Sequence, residues 1–182
     1  MHGSVTHRCI FSGENIDMAD DIRYSIFDPT GNITALVESK VPVADQPAAA
    51  AKIMEAEPDV EQVGFVAYAD EKEIAGGRPP VSLRMAGGEF CGNAAMSAAA
   101  LFAVRSGLQQ GAVQVSVSGA AAPVEVRLER QADGEYRAAV RMPPALGIGS
   151  LALTAGGALI GLPLVEMEGI SHIIAEPDSG LF

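Results

Sequence analysis

The stretch GGEFCGNAAMSAAA (87–100) sets a single thiol, Cys91, between glycines and ahead of an uncharged run rich in alanine. No charged residue occurs from 92 to 104, and Gly107 stands where a helix would stop, so the pattern predicts one apolar helix over 93–105. Cys91 then lies at the mouth of that helix. The N–H groups of Gly92 and Asn93 fall in its first turn, where no intrahelical acceptor exists, and the positive end of the helix favours a bound carboxylate or the negative charge of a thiolate. Two readings stay open on these residues alone: a reactive thiol beside an anion site, or a small buried hydrophobe, as a free cysteine most often is.

A helix apolar on every face must be buried on every face, and the rest of the chain supplies strands to enclose it. Residues 22–27 alternate as a half-buried strand, Asp28-Pro29-Thr30-Gly31-Asn32 is turn chemistry, and 33–37 is the returning strand of a hairpin. Asp45 is placed to cap a helix over 46–56, with Pro47 in the first turn and Pro58 ending it. Strands are expected over 60–69 and 81–85, separated by a polar loop through Glu71, Lys72, Glu73, Gly76 and Gly77. Val113, Val115 and Val117 alternate, and 124–129 pairs with 136–142 across Asp133-Gly134. The small side chains of Ala94, Ala95, Ala98, Ala99 and Ala100 let such strands approach the helix axis. The fold class is therefore α+β, with strands wrapped around a central apolar helix.

Composition narrows the function. At 182 residues and 48% hydrophobic the chain can bury a real core, while 12 basic against 23 acidic residues give a net charge of −11 and exclude a nucleic-acid footprint. Cys9 and Cys91, the two cysteines, make neither a disulfide framework nor a CxxC zinc signature, so a reducing, cytoplasmic compartment is expected. His2, His7 and Cys9 are read as an unstructured polar segment rather than a metal site. The uncharged run 143–165 contains Pro143, Pro144, Pro163 and five glycines, which would break a membrane-spanning helix, so buried strands and turns are expected there.

The segment Glu89-Phe90-Cys91-Gly92-Asn93-Ala94 resembles the Cys-Gly-Asn signature of the diaminopimelate epimerase superfamily, pyridoxal-independent amino-acid racemases and epimerases that use two facing cysteines. Pro29-Thr30-Gly31-Asn32 is similar to that family's early Gly-Asn turn, Glu61-Gln62-Val63-Gly64-Phe65 to its glycine-bearing strand, and Val140-Arg141-Met142-Pro143 to its step between domains. In residue detail the likeness is nearest the histidine racemases of opine-type metallophore pathways. It covers 22–143 well and the remainder weakly.

The resemblance implies a diaminopimelate-epimerase-like fold, an amino-acid substrate and neither cofactor nor metal. Cys91 would be one of two bases, Gly92 and Asn93 would hold the substrate α-carboxylate, and Asn32 would meet its polar groups. Glu61 and Gln62 would line the pocket, and Ser171-His172 would stand where the family has a Gly-Asn-Pro-His element, from which Ile170 and Ser171 depart. Bland roles remain open for these residues: a turn position for Asn32, exposed strand positions for Glu61 and Gln62, a structural histidine for His172. Residues 82–85 lie near a family substrate asparagine without supplying one.

The expected organisation is a flexible extension over 1–20, outside the fold, an epimerase-like domain over 21–118, and the beginning of an incomplete second domain over 119–182. The second catalytic cysteine of the family opens a helix in the second domain, so this chain is expected to represent an N-terminal half, to be completed by a C-terminal half or to self-associate. Three functions stay open: a two-cysteine racemase or epimerase such as a histidine racemase, a phenazine-biosynthesis-type isomerase of the same fold with a carboxylate base, and a non-catalytic small-molecule binding module.

Overall fold

The computed structural model describes residues 22–29 and 31–175, together with the backbone path of 4–17. The chain divides into two compact units at Met142/Pro143.

In the first unit eight strands close into a barrel in chain order: β1 (Ser4–Asp17), β2 (Arg23–Pro29), β3 (Thr34–Val37), β4 (Gln62–Tyr68), β5 (Val81–Met85), β6 (Gln110–Val117), β7 (Val124–Arg130) and β8 (Tyr136–Arg141). Pairing is antiparallel except for β3 with β4 and β5 with β6. Two helices make those parallel pairings possible by carrying the chain back across the sheet. The first, α1 (Gln46–Ala56), follows a short 3-10 turn at Val43–Asp45, and α3 (Gly92–Ser106) joins β5 to β6.

The helix α3 packs against β1, β2, β3, β5, β6, β7 and β8, and its residues from 94 to 101 are all buried. Gly107, at φ +73°, ends it in the left-handed conformation that glycine adopts without strain. The expected enclosure of an uncharged helix is thus the observed core, and the fold is mixed α+β. The helix α1 covers the opposite face of the sheet, where Ala49, Ala50 and Ile53 pack with Tyr24, Ala35, Val37, Val63 and Phe65. Covered on both faces, β3 is buried at all four of its residues.

Several local expectations need correction. Residues 1–20 were expected to be an extension outside the fold, yet Ser4–Asp17 is a strand that pairs with both β2 and β8. Without it those two strands would present unpaired N–H and C=O groups along open edges. The polar loop after β4 contains α2 (Glu71–Ala75), whose Asp70 side chain accepts from Glu73 N–H while the Glu73 side chain accepts from Asp70 N–H. Asp45 makes no side-chain cap to α1; it has helix-like backbone angles at the end of the 3-10 turn, so its carboxylate is not held over the next N–H groups. The β7–β8 hairpin forms in the expected pairing, Val126 opposite Val140, but belongs to the first unit rather than to a domain beginning at 119.

The second unit holds an antiparallel sheet of β9 (Gly147–Ala155), β10 (Ala158–Met167) and β11 (Ile170–Ile173), with β10 in the middle. Gly156 and Gly157, at φ +57° and +81°, make the expected turn between β9 and β10, but the strands of this uncharged run are not the buried ones expected: Ile148 and Leu159 are largely exposed, because no other described element of this unit covers the sheet.

Candidate functional site

Strand β5 runs into a turn through Gly88, whose N–H bonds to Met85 C=O at 2.9 Å and whose φ of +80° suits glycine. The chain then passes the buried Phe90 and reaches Cys91 in an extended conformation, φ −137° and ψ 115°, as the N-cap of α3. Its Sγ accepts from Ala94 N–H at 3.4 Å, the bond that a serine or aspartate oxygen makes at other helix starts. Its C=O accepts the first helical bond, from Ala95 N–H at 3.0 Å. Being in the first turn, the N–H groups of Gly92 and Asn93 have no acceptor within the helix. A Cβ at Gly92 would lie 3.1 Å from Met142 Sδ and 3.5 Å from Val140 Cγ1, so glycine here lets the helix start lie close against β8 and the residue after it.

The thiol is also held from the side. Cys91 donates its S–H to Gln62 Oε1 at 3.2 Å, Gln62 Nε2 donates to Thr34 Oγ1 at 2.7 Å, and Thr34 Oγ1 donates to Asn32 C=O at 3.0 Å. Each link orients the next. With its own proton committed to the Asn32 carbonyl, the Thr34 hydroxyl can only accept from Gln62, so the Gln62 amide turns its oxygen toward the sulfur. The relay depends on register, since Thr34 and Gln62 are direct partners across the parallel β3–β4 pair. Thr34 is fully buried and did not stand out in the sequence; its only signal there was a hydroxyl residue in an otherwise apolar strand. Beside it, the Asn32 side-chain oxygen Oδ1 is buried without a hydrogen-bond partner among the described residues, an acceptor left open.

Of the residues singled out from sequence, Cys91, Gly92, Asn93, Gln62 and Asn32 are therefore linked through the helix start and this relay. Asn93 is half-buried, and its C=O accepts from Ser97 Oγ at 3.0 Å. Glu61, the residue before β4, is exposed and bonds through its N–H to Ile33 C=O at 2.9 Å. His172 lies exposed on β11 opposite Val165, in the second unit and outside the relay. Cys9 is in β1, opposite Pro29 and Tyr136.

The far end of α3 is anchored by charge. Arg105, in its last turn, pairs with Glu38, and Tyr68 O–H donates to the same carboxylate at 3.1 Å. Burial first, and then the charge of Glu38, push the Tyr68 phenol well above its ordinary value, while the bond to Glu38 raises Arg105. No group of three or more His, Cys, Asp or Glu among the described residues is placed to hold a metal, and no helix among them is long and apolar enough to cross a membrane.

Comparison with known proteins gives the family of the chain. A histidine racemase from Fusobacterium nucleatum subsp. nucleatum is 32% identical over 153 residues, covering 81% of this chain and 52% of that protein. The chain thus spans about half the length of the curated relative it matches. The family model described as the histidine racemase CntK N-terminal domain matches residues 21–180, from just before β2 to beyond β11. The resemblance to histidine racemases carried by the Cys-Gly-Asn segment extends over nearly the whole chain, which belongs to the histidine racemase CntK N-terminal domain family.

Proposed function

We propose that this chain is the N-terminal half of a cofactor-independent amino-acid racemase of diaminopimelate-epimerase-like architecture, with histidine as its substrate and Cys91 as one of two bases. The observation that carries the reading is the position of the thiol: at the mouth of an enclosed helix, fixed between Ala94 N–H and the Gln62 amide, next to two first-turn N–H groups. Those of Gly92 and Asn93 would take the substrate α-carboxylate. The open Asn32 Oδ1 would accept from a substrate N–H.

Removing the α-proton of an amino acid leaves charge that spreads into the carboxylate, and N–H dipoles already aimed there stabilise it without reorganising. In one direction Cys91, as thiolate, takes the proton from Cα and becomes the thiol, while an acid on the opposite face of the carbon gives its own proton to the same atom. In the other direction Cys91 begins as the thiol and gives the proton, a form in which its S–H can donate to Gln62 Oε1. Two groups on opposite faces are needed because a single base returns the proton to the side it came from. We assign the second group to the remaining half of the protein, consistent with a relative about twice as long.

Incubation of the completed protein with L-histidine in deuterium oxide tests this reading. Deuterium at Cα accompanied by D-histidine is the expected result, with the D-histidine lost in Cys91→Ala. Inversion that persists in Cys91→Ala would show that the thiol is not a base.

A further inference from the structure

Ser118 and Gly119 follow β6, far in sequence from Cys91, yet they grip the segment that delivers it. The Ser118 hydroxyl accepts from Met85 N–H at 2.9 Å and donates to Glu89 C=O at 2.8 Å, so one side chain bridges the two ends of the turn between β5 and α3. Its own N–H bonds to Leu83 C=O at 2.9 Å, tying the bridge to β5. Gly119, at φ +73°, presses its backbone against the same segment: a Cβ there would lie 2.5 Å from Phe90 N and 2.8 Å from Glu89 C. Both atoms are backbone, which cannot swing aside as a side-chain end can. Only glycine meets the conformation and the approach together.

We propose that Ser118 and Gly119 are positioning residues for Cys91, setting the path from Met85 to Phe90 so that the sulfur meets the Gln62 amide. The other backbone bonds of the turn, Ala86 N–H to Val63 C=O at 3.0 Å and Gly88 N–H to Met85 C=O at 2.9 Å, hold only its first half, and Gly87 and Gly88 give it freedom. Phe90 fixes the second half by burial, but nothing in a buried ring sets the rotation of the following residue as a hydroxyl bonded to both ends does. The inference deepens the reading of Cys91 as a base and is open to a separate test, because it concerns where the thiol sits rather than what it does.

The readout is the rate of Cys91 alkylation by iodoacetamide in the 182-residue chain, followed by peptide mapping so that Cys9 is scored apart, with Tm measured on the same samples. Ser118→Ala is expected to loosen the Cys91–Gln62 bond and raise the rate by about fivefold, the scale of one lost hydrogen bond. Ser118→Cys, similar in shape with a weaker donor, is expected between wild type and alanine. Ile53→Val, on the buried face of α1, serves as a control that lowers Tm away from the turn and leaves the rate unchanged. Should Ser118→Ala not fold, Ser118→Cys decides by the same comparison. A wild-type rate in the Ser118 variants, or a rise matched by Ile53→Val at equal loss of Tm, overturns the proposal. Racemisation by the completed protein judges the catalytic reading independently.

Discussion

The Sγ of Cys91 and the Oε1 of Gln62 lie 3.2 Å apart, although 29 residues separate them in the chain. One begins the central helix and the other begins β4, so the contact reports the register of the barrel as well as the rotamer of the thiol. Gln62→Leu removes the acceptor of the thiol and the donor to Thr34 together, leaving the buried Thr34 oxygen with an unused acceptor site. A stability loss of about 1–2 kcal/mol is expected by chemical denaturation, together with faster Cys91 alkylation. Unchanged alkylation would mean that the bond does not restrain the sulfur.

A carboxylate held by Gly92 and Asn93 N–H groups would stand over the thiol. L-Histidine is therefore expected to slow Cys91 alkylation in the isolated chain, while histamine, which lacks the carboxylate, is expected to leave it unchanged. Equal protection by both would place the anchoring elsewhere. The isolated chain is expected to give no D-histidine, and addition of the proposed second half is expected to start inversion.

The Glu38 carboxylate joins Arg105 on α3 to Tyr68 on β4. Because the folded Tyr68 phenol titrates above its ordinary value, the folded state holds that proton more tightly than the unfolded chain does. This contribution is complete below about pH 10, the unfolded value, and is lost as pH rises toward the folded one. Glu38→Gln removes the charge that helps raise Tyr68. Its ultraviolet titration is expected to shift to lower pH, with a stability loss at neutral pH of about 1 kcal/mol for the partly exposed pair. A titration identical to wild type would contradict the role of Glu38.

Removal of residues 1–17 would open the barrel between β2 and β8 and expose both strand edges. The truncated chain is expected to lose stability and to associate through those edges, as seen by a concentration-dependent sedimentation coefficient. A monomer with the Tm of the full chain would show that β1 contributes nothing to closure.

In the second unit Leu146, Ile148 and Leu159 are 73, 80 and 76% exposed. Large apolar side chains open to this degree on and beside one small sheet favour association of the isolated chain. Ile148→Glu with Leu159→Glu is expected to lower the sedimentation coefficient at high concentration toward that of a monomer; no change would locate any association elsewhere.

Much of this architecture was legible because its causes are local. The limits of α1 follow from Pro47 and Pro58, and the span of α3 from an uncharged alanine run closed by Gly107. Pairing of β7 with β8 needs only alternation around Asp133-Gly134. The short helix α2 was legible too, in the Asp70–Glu73 spacing of a capping box, but two glycines nearby read more strongly as a loop.

What the sequence by itself determined was that a thiol heads a helix that must be buried, and that amide N–H groups lie beside it; helix geometry demands both within a few residues. Tertiary structure alone decided that Ser4–Asp17 completes the barrel, that Thr34 and Gln62 are partners, and that Ser118 reaches both Met85 and Glu89. Polar and apolar residues are mixed in the first of these segments, and β3, buried on both faces, shows no alternation that would mark Thr34 as facing a site. Such contacts depend on which strands lie side by side and in what register, a choice made by closing long loops around the whole core, and no short window of residues contains it.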